Sequence, residues 1–276
     1  MFGFHLKEIS LDEIKKIQKN KCNLIQIFAD QLKDTTNLLN KNKIKNIHIV
    51  IHSSFIINIS QHFRPNSYTV LKCIEEIKEA MKYHAIGYVL HTGTIRTKIN
   101  MTSKQAFYNM INTLIYISQK LNLDNNDNFT LFLELLAGSN NDIIYDLKNK
   151  NNYLSLKYFN DIIKQKKVLH NLKYCLDTCH IFASGYHLDT LEGIKKYFLE
   201  FDKLIGIKNI GLIHLNDSYY EFNSRKDKHE ILGEGKIGNN LKYIYQLFIK
   251  LDIPIIIEVS DINKNMKLIK KKIIKE

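Results

Sequence analysis

The sequence predicts an α/β protein built as a single (β/α)₈ TIM barrel, with a metal site where the C-terminal ends of its strands converge. Three observations carry that expectation. Short β-branched or aromatic runs alternate with longer helical stretches along the whole chain. Eight of each follow one another with no Pro/Gly linker and no second compositional block, so residues 1–276 are expected to form one domain, as barrels of ~250 residues do. The competing architecture, an open doubly wound sheet, would carry a Gly-rich phosphate turn after its first strand, and Phe4-His5-Leu6-Lys7 offers none.

The elements follow in order. The first strand is expected over 2–6, and Ser10-x-x-Glu13 reads as a capping box opening the first helix. Strand 24–29 precedes a helix over 31–42, and strand 47–52 precedes a helix over 67–83. After strand 85–91, Thr102-x-x-Gln105 opens a helix in which Phe107, Ile111, Leu114 and Leu121 recur at helical spacing. Strand 129–135 is followed by a helix over 152–166. Strand 172–177 is followed by Asp189-x-x-Glu192 and the helical stripe Leu191, Ile194, Phe198, Phe201 and Leu204. Strand 209–215 leads to a helix over 239–251, and strand 254–259 to a last helix over 261–275. The strand runs are short, apolar and bounded by polar segments, as strands buried on both faces should be. Pro254 opens the last of them, where a missing N–H is tolerated. The lysines of 264–275 read as the solvated face of the last helix.

Composition narrows the class. A hydrophobic share of 45% with 25% charged residues excludes wholesale disorder. No uninterrupted apolar run reaches the ~18 residues of a membrane span. Met1-Phe2-Gly3-Phe4-His5 lacks the charged start and apolar stretch of a signal peptide. Four scattered cysteines form neither a disulfide framework nor a CxxC pair, which favours a reducing, intracellular compartment, the cytoplasm by default. Forty Lys+Arg against 28 Asp+Glu give +12, which suits a polyanionic partner such as nucleic acid. An AT-rich coding sequence would produce the same lysine excess, so charge alone does not decide.

The chemistry gathers at the strand ends. His52, His91 and Asp177 end their strands, while Glu134, His214 and Glu258 stand near the ends of theirs. Val50 and His52 share a strand face, as do Val89 and His91, Leu212 and His214, and Ile256 and Glu258, so each polar residue tops an apolar column. Taken singly, each histidine reads as structural. Six ionisable groups converging at a barrel mouth would cost several kcal/mol each without partners, and metal supplies them. Two loop clusters extend the set: Asp177-Thr178-Cys179-His180, and Asp227-Lys228-His229 ahead of Gly233-Glu234-Gly235. Five imidazoles and four carboxylates fit Zn²⁺, Mn²⁺ or Fe²⁺ better than Mg²⁺, and nine ligands suit a cluster with a bridging carboxylate. Three divalent ions against four carboxylates leave about +2, a charge that attracts phosphate and stabilises phosphoryl-transfer oxyanions. His62, His84, His170 and His187 match no strand end and read as surface residues. His5 and His48 read either as groups supporting the ligands or as core packing, and Cys175 and Cys179 as packing.

These motifs resemble the endonuclease IV family of zinc-dependent apurinic/apyrimidinic endonucleases. The stretches that carry the resemblance are Cys175-Leu-Asp-Thr-Cys-His-Ile-Phe-Ala-Ser-Gly-Tyr186, His214-Leu-Asn-Asp-Ser218 and Asp227-Lys-His-Glu-Ile-Leu-Gly-Glu-Gly-Lys-Ile-Gly238, and with the strand ends they span nearly the whole chain. The resemblance implies three Zn²⁺ per chain. One would be held by His52, His91 and Glu134; a second by Glu134 as bridge with Asp177, His214 and Glu258; a third by His180, Asp227 and His229. It implies hydrolysis of the phosphodiester 5′ to an abasic site in double-stranded DNA, leaving a 3′-hydroxyl and a 5′-deoxyribose phosphate. Metal would lower the pKa of a water and steady both the attacking and leaving oxygens, with Glu258, Glu134 and Asp177 the catalytic carboxylates and Glu258 steering the nucleophile. Phe55, Gln31 and Lys236 are the expected DNA contacts of a monomeric enzyme.

The chain departs from the family at His91-Thr92-Gly93, where His-Pro-Gly is usual, and at Glu134-Leu135-Leu136-Ala137-Gly138, where Glu-Asn-Thr-Ala-Gly is usual. Phe55 stands in place of a tyrosine, and Asp30-Gln31-Leu32-Lys33 carries no arginine. Two other classes compete. A metal-dependent sugar isomerase or epimerase would use the same barrel with fewer metals, and a catalytically silent damage-binding protein would keep the surface without the chemistry.

Overall fold

The computed structural model describes residues 1–96, 100–259 and 261–269. In chain order its strands are β1 (Phe2–His5), β2 (Leu24–Phe28), β3 (His48–His52), β4 (Gly87–His91), β5 (Thr130–Glu134), β6 (Leu172–Asp177), β7 (Ile210–His214), β8 (Asp217–Ser218), β9 (His229–Glu230) and β10 (Ile255–Ile257). All but β8 and β9 are parallel and close into one eight-stranded barrel, with β10 pairing both β7 and β1. β8 and β9 form a separate antiparallel ribbon beyond β7. The helices are α1 (Leu11–Lys19), α2 (Leu32–Lys41), α3 (Tyr68–Lys82), α4 (Ser103–Leu121), α5 (Leu156–Lys166), α6 (Thr178–Ala183), α7 (Leu191–Leu204), α8 (Leu241–Lys250) and α9 (Ile262–Leu268).

Strand alternation divides the apolar residues into two populations. Ile25 and Ile27, Ile49 and Ile51, Tyr88 and Leu90, Leu131 and Leu133 face outward and join the helices in the large core. Leu24, Val50, Val89, Phe132, Cys175, Leu212 and Ile256 face inward and form a small separate cluster inside the barrel. On β1 the equivalent place belongs to Gly3, where a Cβ would collide with the Leu24 carbonyl. Two residues further along each strand, the inward column turns polar.

The three expected helix caps form with one shift. Ser10 Oγ caps α1 by accepting from Glu13 N (3.2 Å), although the Glu13 carboxylate turns to Lys16 rather than back to the cap. At α4 the box is complete, because Gln105 N donates to Thr102 Oγ1 (3.2 Å) and Thr102 N donates to Gln105 Oε1 (2.9 Å). At α7 the cap is Thr190, not Asp189, which pairs instead with His187. Thr190 Oγ1 accepts from Gly193 N, three residues on, as a cap side chain does.

All the barrel strands except β6 are shorter than the sequence suggests, most clearly β10. Pro254 and Glu258 lie just outside it, and Pro254 contributes only its carbonyl, which accepts from Ile213 N. Residues 152–154 are a 3₁₀ turn ahead of α5 rather than part of it. The short α6 and the β8–β9 ribbon were not anticipated, and both carry site residues. The end of the last helix and the lysines from 270 onward fall outside the described residues.

Candidate metal centre

Every barrel strand delivers one polar residue to the same level of the mouth, two positions beyond its inner apolar one. They are His5, Gln26, His52, His91, Glu134, Asp177, His214 and Glu258. His5, His52, His91, Glu134 and Glu258 border a cavity of about 400 Å³ together with His180, Asp227 and His229, while Gln26, Asp177 and His214 are fully buried. Besides two groups that include Cys175 or Cys179, candidate ligand atoms within 4.8 Å of one another form three sets: His52, His91 and Glu134; Glu134, Asp177, His214 and Glu258; and His180, Asp227 and His229. These coincide with the sets implied by the resemblance, and Glu134 is common to the first two.

Glu134 lies at the centre. Its Oε1 stands 3.0 Å from His214 Nδ1 and 3.6 Å from His180 Nδ1. Its Oε2 is buried without a hydrogen-bond donor, yet the Nε2 atoms of His52 and His91 stand 3.5 and 3.2 Å away. An orphaned carboxylate oxygen facing two ring nitrogens is what a divalent cation would satisfy.

Two backbone carbonyls and one amide set the imidazole tautomers. His52 Nδ1 donates to Ser53 O (2.9 Å) and His180 Nδ1 to Leu135 O (2.8 Å), which leaves both Nε2 lone pairs for the cavity. His214 is turned the other way: Nε2 donates to Gln26 Oε1 at 2.9 Å, so Nδ1 faces Glu134 and Glu258. Gln26 Nε2 donates to Glu258 Oε1 (2.7 Å). Asn216 Nδ2 reaches Asp177 Oδ2 (2.7 Å) and Glu258 Oε2 (3.0 Å), while its Oδ1 accepts from Glu258 N. Glu258 has no strand ladder of its own, and these contacts fix it.

Asp177 has two functions at once. It caps α6 by accepting from His180 N at 3.0 Å, and its other oxygen lies 3.3 Å from His229 Nε2. The helix turn between them places His180 opposite Asp227, whose Oδ2 is 3.1 Å from His180 Nε2. Asp227 is about half exposed and forms the open side of the cavity. The ribbon carrying it is anchored by Arg225, whose N donates to Ala183 O and whose guanidinium lies 4.9 Å over the Tyr145 ring. Asp217 holds the following loop by accepting from Gly233, Gly235, Ile237 and Gly238 N–H groups.

Gln26, Asn216 and Asp217 were missed as site residues because amides and a loop-binding carboxylate are not metal ligands. The available signal was positional: Gln26 stands two residues beyond inward-facing Leu24. His5 does support the ligands, with Nδ1 3.3 Å from Glu258 Oε1. His48 does neither of the things expected of it; it is exposed at the start of β3. His62, His84, His170 and His187 are exposed, as expected. Cys175 and Cys179 are buried, and burial pushes both thiols up to about 12, which suits packing.

The three expected DNA contacts divide. Phe55 is 79% exposed at the cavity lip, its ring 5.1 Å from Phe28 and 6.1 Å from His52. Gln31 is occupied within the fold, donating to Lys7 O (2.7 Å) and accepting from Phe28 N (3.0 Å). Lys236 lies away from the cavity, and its ammonium pairs with Glu221 at 2.6 Å.

Burial alone would lower each imidazole; it prevails at His5, but at four others facing carboxylates outweigh it. His180, His214 and His229 are held well above the ordinary value and His52 above it. Burial would likewise raise the acids, yet the imidazoles hold Glu134 well below its usual range and Glu258 and Asp227 below theirs. The raised histidines contribute stability that is complete below about pH 6.5 and lost as pH climbs through their folded values. The depressed carboxylates contribute above about pH 4 and lose it as pH falls. Metal needs unprotonated imidazole, so its affinity should rise with pH. Melting of metal-free protein is therefore expected to weaken from about pH 6.5 upward while the increment from added Zn²⁺ grows. A metal-free melting point flat across that range, with a constant increment, would contradict the shared-proton network.

Over residues 6–274 the chain matches the family described as xylose isomerase-like TIM barrel. It is 30% identical over 276 residues to a probable endonuclease 4 of Halothermothrix orenii, covering 97% of this chain and 85% of that protein. It is 28% identical over 226 residues to apurinic-apyrimidinic endonuclease 1 of Plasmodium falciparum, covering 80% of this chain and 35% of that one. Among solved structures, endonuclease IV from Thermus thermophilus superposes with a TM-score of 0.75 at 19% identity, covering 98% of this chain and 97% of that one, a likeness of fold.

Proposed function

The chain belongs to the xylose isomerase-like TIM-barrel family and, within it, to the endonuclease 4 proteins, and from that premise we propose that it is a metal-dependent DNA-repair endonuclease cutting 5′ to abasic sites. The single observation that carries the proposal is the convergence of His52, His91, Glu134, Asp177, His180, His214, Asp227, His229 and Glu258 into three ligand sets, two of which share Glu134. A sugar isomerase or epimerase on this barrel would need fewer of them. The relatives named for endonuclease activity point the same way, and the +12 charge suits a DNA partner. We further propose that the three sets each hold Zn²⁺, with Mn²⁺ or Fe²⁺ acceptable to the same ligands, in a one-domain monomer working in a reducing compartment. Its four cysteines are all buried, and among the described residues no helix is long and apolar enough to cross a membrane.

Bound divalent ions would supply Lewis acidity, lowering the pKa of the attacking water and neutralising charge on the phosphate. The residues do the rest. Glu134 links the two inner sets. Glu258, held by Gln26 and Asn216, points one carboxylate oxygen toward each, so it can orient the nucleophile and take up its proton. Asp177 ties the ribbon's His229 to the barrel. Phe28 and Phe55 form an apolar wall against which a sugar lacking its base can lie, and an abasic nucleotide costs less to unstack than an intact one.

The test is a duplex carrying one abasic analogue, read on a denaturing gel. One cut leaving an extendable 3′-hydroxyl is expected, and no cut with metal-loaded protein would return the question to the isomerase or silent-binder readings. Binding should also weaken with salt, with a log–log slope near −4 to −5 for about five phosphate contacts. A flat response would mean that the basic surface is only compositional.

A further inference from the structure

We propose that Lys7 is a substrate-phosphate contact of this site, held at its lip by Gln31; the inference rests on the phosphodiester-cutting function proposed above. The inward column of β1 runs Gly3, His5 and then Lys7. The strand ladder continues one residue past β1, with Leu6 N donating to Gln26 O at 2.8 Å, so Lys7 occupies the next position toward the opening. Its side chain borders the same cavity as His52, Glu134 and Glu258. Among the described residues it is the one lysine or arginine that does so.

Two further features equip Lys7 for this role. Its backbone is fixed: Gln31 Nε2 donates to Lys7 O at 2.7 Å and Gln31 Oε1 accepts from Phe28 N at 3.0 Å, tying the loop after β1 to the turn after β2. Its ammonium has no carboxylate partner among the described residues, whereas Lys16, Lys236 and Lys264 are each neutralised by a glutamate. An exposed, unpaired cation beside a cavity of phosphodiester chemistry is a point charge available to a phosphate oxygen. Gln31, expected to touch DNA itself, becomes the clamp that places Lys7. This also explains how a turn without arginine, Asp30-Gln31-Leu32-Lys33, can border a DNA site.

The experiment measures affinity for the abasic duplex as a function of salt, using metal-loaded parent, Lys7→Ala, Lys7→Arg and Lys157→Ala proteins. Lys157 sits on α5 paired with Asp161 and controls for the loss of one positive charge anywhere on the surface. Lys7→Ala should bind more weakly and flatten the log–log slope by about 1, the value of one phosphate contact. Lys7→Arg should restore the slope, and Lys157→Ala should keep it. A purely structural role for Lys7 would change affinity without changing the slope, and that result overturns the assignment. Equal flattening in Lys7→Ala and Lys157→Ala overturns it as well, because only net charge would then be read. Cutting by the parent is scored in the same reactions. A parent that does not cut overturns the function beneath the inference, while a cutting parent with an unchanged Lys7→Ala slope overturns Lys7 alone.

Discussion

Cleavage by Glu258→Gln is expected to fall by roughly 10²–10⁴-fold, the range for a positioned acid–base group, with little change in affinity for abasic DNA. The substitution keeps the shape and removes the charge. It also introduces an amide nitrogen opposite Gln26 Nε2 or Asn216 Nδ2, both already donors to this side chain. Neither neighbour is free to turn over, because Gln26 Oε1 accepts from His214 and Asn216 Oδ1 accepts from Glu258 N. A stability loss of about 1–3 kcal/mol from the mismatched donor is therefore expected alongside the kinetic effect. Single-turnover rates at saturating enzyme, with melting and metal content checked, separate the two. A variant that cuts at the parent rate removes Glu258 from the mechanism.

The second large effect belongs to Glu134→Gln. Glu134 is buried among His52, His91, His180 and His214, and its charge is what holds those imidazoles together without metal. Removing one partner of a buried ionic network costs about 3–5 kcal/mol, and metal-free Glu134→Gln protein should lose that much in denaturant unfolding at neutral pH. Both sets that share Glu134 should lose affinity for metal, while His180, Asp227 and His229 keep theirs. Cutting should fall to background. A Glu134→Gln protein with the parent's metal content and parent stability would show that the bridge is not there.

Much of this site was legible in the sequence for a geometric reason. A strand alternates with period two, so an apolar residue followed two places later by His, Asp or Glu marks an inward column reaching the mouth. Val50 with His52, Val89 with His91 and Leu212 with His214 are such pairs, and the structure puts each where alternation requires. Glu258 was legible as a residue but not in its setting: β10 ends at Ile257, and side chains from other strands hold Glu258 in place of a ladder.

What stayed hidden was whatever depended on contacts across the barrel. Gln26 and Asn216 carry no signature of metal chemistry, yet they set the His214 tautomer and both oxygens of Glu258. The carbonyls of Ser53 and Leu135 orient His52 and His180, and a backbone oxygen has no residue type to read. Asp177-x-x-His180 was visible as a spacing, but not as a helix cap, because six residues are too few for a hydrophobic period. Gln31 was legible as a residue of the turn after β2, but not that its amide is already bonded to Lys7 O and Phe28 N.

Whether the nine converging residues act as one metal centre is decided most directly by the metal content of folded, purified protein, by elemental analysis against protein concentration. Three transition-metal ions per chain, mostly zinc, are the predicted result. One ion or fewer, in protein that melts cooperatively, would contradict it.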